Sequence, residues 1–205
     1  MRVVKADDYQ TWFIEEEGFG VLIDPWLDKK LNPESSVLLQ RERQETSSLS
    51  QKELDQVKVV IVTAPFIDHL HIPSIKKLNN KVKIITTKKV RKILIKNQID
   101  NPIACIDNQI IEIGPFKLSV FPAGFPYSWS AFCFFLENTA GKTIFHEGHK
   151  ANFRNLKRLN RKCDAVLITL DKVKFLGIMT LSMGPEEGFK TARLLDSKRI
   201  MATGT

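Results

Sequence analysis

Val57-Lys58-Val59-Val60-Ile61-Val62-Thr63 runs without a break into Ala64-Pro65-Phe66-Ile67-Asp68-His69-Leu70-His71, and the reading of this stretch decides the fold. A continuous apolar run of this kind marks a strand buried on both faces. Pro73 favours a first helical turn, so a helix is expected from about residue 73 to 78. Between strand and helix stand one carboxylate and two imidazoles, Asp68, His69 and His71.

Towards the N-terminus, Trp12–Glu16 and Gly20–Asp24 read as the arms of a hairpin turning at Glu17–Gly18, with Met1–Ala6 as a further strand. Residues 29–55 are polar and rich in Ser, Glu and Gln, with one apolar patch at Val37–Leu39. They read as an insertion and a candidate lid, ending in a helix over Gln51–Gln56 that starts after Ser50. Towards the C-terminus, Val82–Thr86, a helix over Lys88–Asn97 and Pro102–Ile106 make a β-α-β passage. Gln109–Ile113, Phe116–Phe121, Ala131–Leu136 and Lys142–His146 follow as an antiparallel meander with turns at Gly114–Pro115 and Asn138–Gly141. A helix at 152–160, a strand at Ala165–Thr169, a helix at Pro185–Leu195 and a strand at Arg199–Ala202 close the chain. Two β-rich halves, each finished with helices, imply two packed sheets with helices on both outer faces. The expectation is an α/β fold, a four-layer αββα sandwich, in one domain over residues 1–205.

Composition narrows the function classes. Apolar residues make up 43% and charged residues 26% of 205, as in ordinary globular proteins. No run approaches the roughly 18 apolar residues of a membrane span, and the first residues read as a strand rather than an export signal; a cytoplasmic protein is expected. Cys105, Cys133 and Cys163 lack C-x-x-C spacing and read as buried reduced thiols. The net charge is +8, with basic clusters at Lys88, Lys89, Arg91, Lys92, Lys96 and at Lys150, Arg154, Lys157, Arg158, Arg161, Lys162. Both read as solvated helix faces, with Val90, Ile93, Leu94 and Phe153, Leu156, Leu159 turned inward. Neither has interleaved aromatic residues in the sequence, as base stacking would want, so a nucleic-acid partner is not expected.

Asp24-Pro25-Trp26-Leu27, closing an early strand, and the Asp68-His69 motif after a later one resemble the metallo-β-lactamase superfamily, in particular its metal-dependent hydrolase and lactonase-like branch. The resemblance covers the whole chain, with Phe121-Pro122-Ala123-Gly124-Phe125 at the third motif and Ile144-Phe145-His146-Glu147-Gly148-His149 at the fourth. It implies the αββα fold and hydrolytic chemistry at a metal. Most of the family's di-metal ligands are absent: Ala64, Phe66 and Phe125 replace three histidines, His149 replaces the bridging aspartate, and Ala202 or Thr203 stands where the last histidine would be. Asp68 and His69 remain. A group of β-lactamase-like proteins in cyanobacteria and plants is more similar, with D-P-W-L, D-D-H-x-H, E-P-H and P-T-A-x-G; this chain departs from it at Ile67, Gly148 and Met201.

All four histidines, His69, His71, His146 and His149, fall in two short segments beside Asp68 and Glu147. One reading is a single zinc or iron ion held by Asp68, His69 and His149, with His71, Glu147 or His146 as proton carrier or supporting partner. A second needs no metal: His71 or His149 is a base oriented by Asp68 or Glu147. A third is a polar network left from an ancestral site. Asp24 and Trp26 are placed at the pocket, Asp24 ordering loops through hydrogen bonds; Trp26 and Trp129 either border the pocket or, the commoner role in such loops, anchor packing. Phe66 and Phe125 fill the space of the lost metal position. No G-x-S-x-G elbow, P-loop or dinucleotide fingerprint is present. The function expected is hydrolysis of a small, anionic ester, lactone or phosphoester. The alternatives are a non-catalytic ligand-binding protein and, ranked last, RNA binding.

Overall fold

The structure is a computed structural model that describes residues 1–31, 41–42, 47–100, 102–104, 109–170, 172, 174–175 and 179–203. Cys105, Ile106 and, within the candidate lid, residues 32–40 (with Val37–Leu39) and 43–46 lie outside the described residues. The chain divides into two compact units, Met1–Ala104 and Cys105–Thr205.

In the first unit β1 (Arg2–Lys5), β2 (Trp12–Glu16) and β3 (Phe19–Ile23) pair antiparallel. Glu17 and Gly18, at φ 51° and 79°, make the expected hairpin turn. A short pair, β4 (Lys30–Leu31) and β5 (Arg41–Glu42), precedes α1 (Gln51–Gln56). Ser50 caps α1: its Oγ accepts from the Glu53 N–H, and Glu53 Oε2 accepts from the Ser50 N–H. Then come β6 (Val57–Val62), α2 (Ile72–Lys76), β7 (Lys83–Thr86), α3 (Lys88–Lys96) and β8 (Pro102–Ala104). The six-stranded sheet runs β1-β2-β3-β6-β7-β8, parallel from β3 onward. Phe13, Leu22, Val60, Val62 and Ile84 join Ile75 of α2 and Val90 and Leu94 of α3 in one core. Ile14, Val21, Ile23, Val59, Ile61 and Ile85, on the other face, are buried too. That two-sided burial is why β6 reads as an unbroken apolar run.

In the second unit β9 (Ile110–Ile113), β10 (Phe116–Pro122), β11 (Phe132–Asn138) and β12 (Thr143–His146) form the expected meander. After α4 (Phe153–Leu159), β13 (Ala165–Thr169) adds parallel to β12. A small pair, β14 (Lys174–Phe175) and β15 (Met179–Thr180), and α5 (Pro185–Leu194) lead to β16 (Arg199–Thr203), parallel to β13. Period-two alternation splits β11. Phe135 packs with Phe121 and Phe145 on one face, ring centroids 5.2–6.1 Å apart, and Phe132 and Phe134 lie on the other. Cys133 and Cys163 are buried free thiols, as expected. Leu159 departs from expectation. It is 41% exposed, because α4 ends at it and Asn160 turns left-handed, leaving Leu156 as the inward anchor.

Candidate functional site

In the first unit the candidate residues stand on the carboxyl ends of β3 and β6. Asp24 follows β3 in a left-handed conformation, φ 45°, with its carboxylate buried. The Thr63 N–H donates to Oδ1 at 2.7 Å and the Thr63 hydroxyl to Oδ2 at 2.6 Å. His69 Nδ1 lies 2.7 Å from the same Oδ2. A carboxylate only accepts, so Nδ1 carries the proton and a neutral His69 holds its lone pair on Nε2. Asp24 therefore does order loops, as expected, but at 1% exposure it lines no open pocket; its effect reaches the site through the His69 ring.

His69 Nε2 stands 3.9 Å from Asp68 Oδ2. The Asp68 side chain is 21% exposed, and two residues that the sequence did not single out hold it. The Tyr9 hydroxyl and the Gln10 amide both donate to Oδ2, at 3.2 and 3.3 Å. The loop between β1 and β2 presents them, because Asp7 Oδ1 accepts from the Tyr9 and Thr11 N–H groups in an Asx turn. Thr11 Oγ1 in turn donates to the Asp24 carbonyl and accepts from the Trp26 N–H. Only the turn chemistry of Asp7 could have flagged this loop in the sequence.

His71, expected as proton carrier or supporting partner, lies in the interior. It is 4% exposed and caps α2, with Nδ1 2.7 Å from Ser74 Oγ. Ser74 Oγ also accepts from the Leu27 N–H, so the His71 side chain fastens the 24–27 loop. Trp26 packs near it, centroids 6.4 Å apart, and is itself buried rather than pocket-lining. Phe66 is half-buried with its ring 6.3 Å from that of His69. Ala64, in the first lost ligand position, is fully buried.

In the second unit His146 ends β12, stacks on Phe134 at 5.1 Å and accepts from the Gly148 N–H on Nδ1 at 3.0 Å. A neutral His146 therefore keeps its proton on Nε2, and the ring is 2% exposed. Glu147 is 1% exposed and accepts from the Thr169 N–H at 2.5 Å, tying the turn to β13. Both were expected to act in the reaction; one side-chain atom of each, His146 Nδ1 and Glu147 Oε1, accepts from a backbone N–H. Gly148 has φ 72°, and a Cβ there would come within 1.8 Å of the Phe132 carbonyl oxygen. Proline, held near φ −65°, could not take this position, which accounts for one departure from the E-P-H pattern. The buried Cys133 thiol donates to the Glu147 carbonyl at 2.8 Å, and burial pushes it far above the ordinary thiol range.

His149 is half-buried, with Tyr127 edge-on to it at 4.2 Å. Tyr127 enters because Gly124–Tyr127 forms a turn closed by the Tyr127 N–H to the Gly124 carbonyl. The same turn puts Phe125 at its tip, 78% exposed, so Phe125 fills no interior space. Trp129 is 95% exposed and anchors nothing. The inward aromatic of this loop is Tyr127.

The family model of the beta-lactamase superfamily domain matches residues 5–204. The chain belongs to that family. Isothiocyanate hydrolase from Delia radicum gut bacteria is similar in fold, with a TM-score of 0.80 at 18% identity over 100% of this chain and 85% of that one. A possible metal-dependent hydrolase from Veillonella parvula DSM 2008 gives 0.80 at 17% over 99% and 85%. CmlA, a diiron β-hydroxylase from Streptomyces venezuelae, gives 0.73 at 10% over 98% and 44%. The αββα sandwich of the metallo-β-lactamase superfamily is thus the fold of this chain. A comparison with curated protein sequences gives no match. Superfamily members generally bind zinc or iron. Among the described residues of this member, no group of three or more His, Cys, Asp and Glu side chains is placed to hold an ion. No described helix is long and apolar enough to cross a membrane.

Proposed function

We propose that the chain is a hydrolase of small anionic esters, lactones or phosphoesters that works with one zinc or iron ion. The observation that carries this reading is the bond from His69 Nδ1 to the buried Asp24 carboxylate. A histidine that ligates through Nε2 almost always gives its other ring N–H to such an acceptor. The donors suit the group in kind: a carboxylate, Asp68, and an imidazole nitrogen, His69 Nε2. Two ligands of one tetrahedral zinc lie about 3.4 Å apart. The 3.9 Å between Asp68 Oδ2 and His69 Nε2 needs to close by about half an ångström, a small side-chain rotation. His149 is assigned as the third ligand from its place in the order of family motifs.

When bound, such an ion supplies Lewis-acid activation of water and of the scissile group. The chain's own residues do the rest. Asp24 and Thr63 lock the His69 ring and its tautomer, and Tyr9 and Gln10 fix the Asp68 carboxylate. The net charge of +8 draws anionic substrates.

Elemental analysis of purified protein, beside His69→Ala and Asp68→Ala variants, tests the reading. About one equivalent of zinc or iron in the parent, lost in both variants, is expected. A parent that takes up none from excess Zn²⁺ or anaerobic Fe²⁺ overturns it. The second reading, a ligand-binding protein that no longer performs the reaction, is favoured by the apolar Ala64 and Phe66 beside Asp68 and predicts that second result.

A further inference from the structure

The two helices of the second unit that follow β12 and β15 carry a surface no step of the proposed reaction uses. On α5 the positions Gly188, Thr191 and Ala192 are buried, so Glu186, Phe189, Lys190 and Arg193 project outward at helical spacing. Phe189 is 54% exposed. On α4 only Leu156 is buried, and Arg154, Lys157 and Arg158 are exposed. The two faces adjoin: Lys190 Nζ sits 4.8 Å from the centre of the Phe153 ring. The fold thus brings Lys190 over the ring of Phe153, 37 residues away in sequence, and joins the cations and rings of the two helices.

Arg161 and Lys162, at the end of α4, are neutralised by Glu137 and Asp196. Arg154, Lys157, Arg158, Lys190 and Arg193 have no acidic partner among the described residues, and Glu186 is the one acid in their row. Such a surface fits a polyanion with flat groups between its charges. We propose that α4 and α5 form a binding surface for single-stranded RNA, with Phe189 stacking a base and Arg154, Lys157 and Arg193 contacting phosphates. A lipid surface fits less well. Only Phe189 and Leu159 offer large apolar side chains, and interfacial binding scales with the apolar area inserted. α3 is as basic, with Lys88, Lys89, Arg91, Lys92 and Lys96, but the large apolar side chain it exposes is Ile95, which has no ring to stack.

The test is fluorescence anisotropy of a labelled 20-nucleotide poly(U) strand titrated with the full chain from 50 to 300 mM KCl. Three phosphate contacts predict that log K falls with log salt at a slope of about −2. Phe189→Ala and Phe189→Leu are both expected to weaken binding about tenfold with the slope unchanged, because leucine keeps the apolar area and loses the stacking face. Arg154→Ala with Lys157→Ala makes the slope shallower by about 1.4, and Lys88→Ala with Lys92→Ala leaves it unchanged. All these side chains are exposed, and thermal melts verify that each variant folds. The proposal is overturned by absent binding at 50 mM KCl, by a Phe189→Leu variant that binds like the parent, or by loss in the α3 variant instead. Binding to vesicles with 30% phosphatidylserine but not to poly(U) overturns it as well.

Discussion

His69 and His146 are equally buried, each 2% exposed, yet their backbones and neighbours give them opposite protonation patterns. His69 gives its Nδ1 proton to Asp24 and keeps a lone pair on Nε2, 3.9 Å from a second carboxylate. His146 receives the Gly148 N–H on Nδ1 and keeps its proton on Nε2. The first arrangement offers a site something to bind; the second spends the ring on holding a turn. The lesson is that a cluster of histidines in a sequence is not a set of equivalent ligands. Which nitrogen carries the proton depends on the partner of the other.

The comparison breaks most easily at the turn. Gly148→Ala drives a methyl into the Phe132 carbonyl at a positive φ and is expected to cost more than about 3 kcal/mol, or to prevent folding. His149→Ala, one residue on, should cost under about 1 kcal/mol by urea denaturation, because the side chain is half-buried and its bond to Glu147 is made by the backbone. A mild Gly148→Ala would show that the turn adapts and that His146 is not held by it.

Asp24→Ala comes next. It leaves the Thr63 N–H and hydroxyl and the His69 ring N–H without their acceptor, at a cost of about 3 kcal/mol. Asp24→Asn sharpens the contrast further: the imidazole ¹⁵N spectrum should show His69 losing its fixed Nδ1–H tautomer while His146 keeps its own. His146→Phe retains the stack on Phe134 and strands one buried N–H, at about 1–2 kcal/mol, with metal uptake unchanged. Metal loss in His146→Phe would mean that the second unit's histidine does take part.

The smallest effect calibrates the rest. The Ser50 N–H and the Arg2 guanidinium hold the Glu53 carboxyl down at about 2, below its ordinary 4.5. Its folded value is depressed, so its contribution is present above pH 4.5 and is lost as pH falls towards 2. Glu53→Gln should lower stability at pH 7 by about 1 kcal/mol or less and flatten that acid-side loss in denaturation curves taken at several pH values.

The fold was legible because its decisive signals are local and periodic. The unbroken run at Val57–Thr63, the Glu17–Gly18 turn and the meander after residue 109 each follow from short-range patterning. The site was legible in part. Asp68, His69 and Asp24 stand out by type and by motif. Tyr9 and Gln10 do not, because their approach to Asp68 depends on an Asx turn some sixty residues away in sequence. Phe125 and Tyr127 could not be told apart by composition: two aromatics two residues apart in one loop are sorted by a single backbone turn. That Glu147 and His146 each accept a peptide N–H could not be read either, because nothing in a sequence shows which backbone group a carboxylate or an imidazole meets.

Cys133 carries a consequence for how motion in the second unit can be timed. Its thiol is fully buried against the Glu147 carbonyl, and burial holds it protonated far beyond neutral pH. An alkylating reagent needs the thiolate and open access, so labelling of Cys133 waits for the 146–150 turn to lift away from β11. The labelling rate is then a clock for that opening, built into the native chain and readable by mass spectrometry without any added probe.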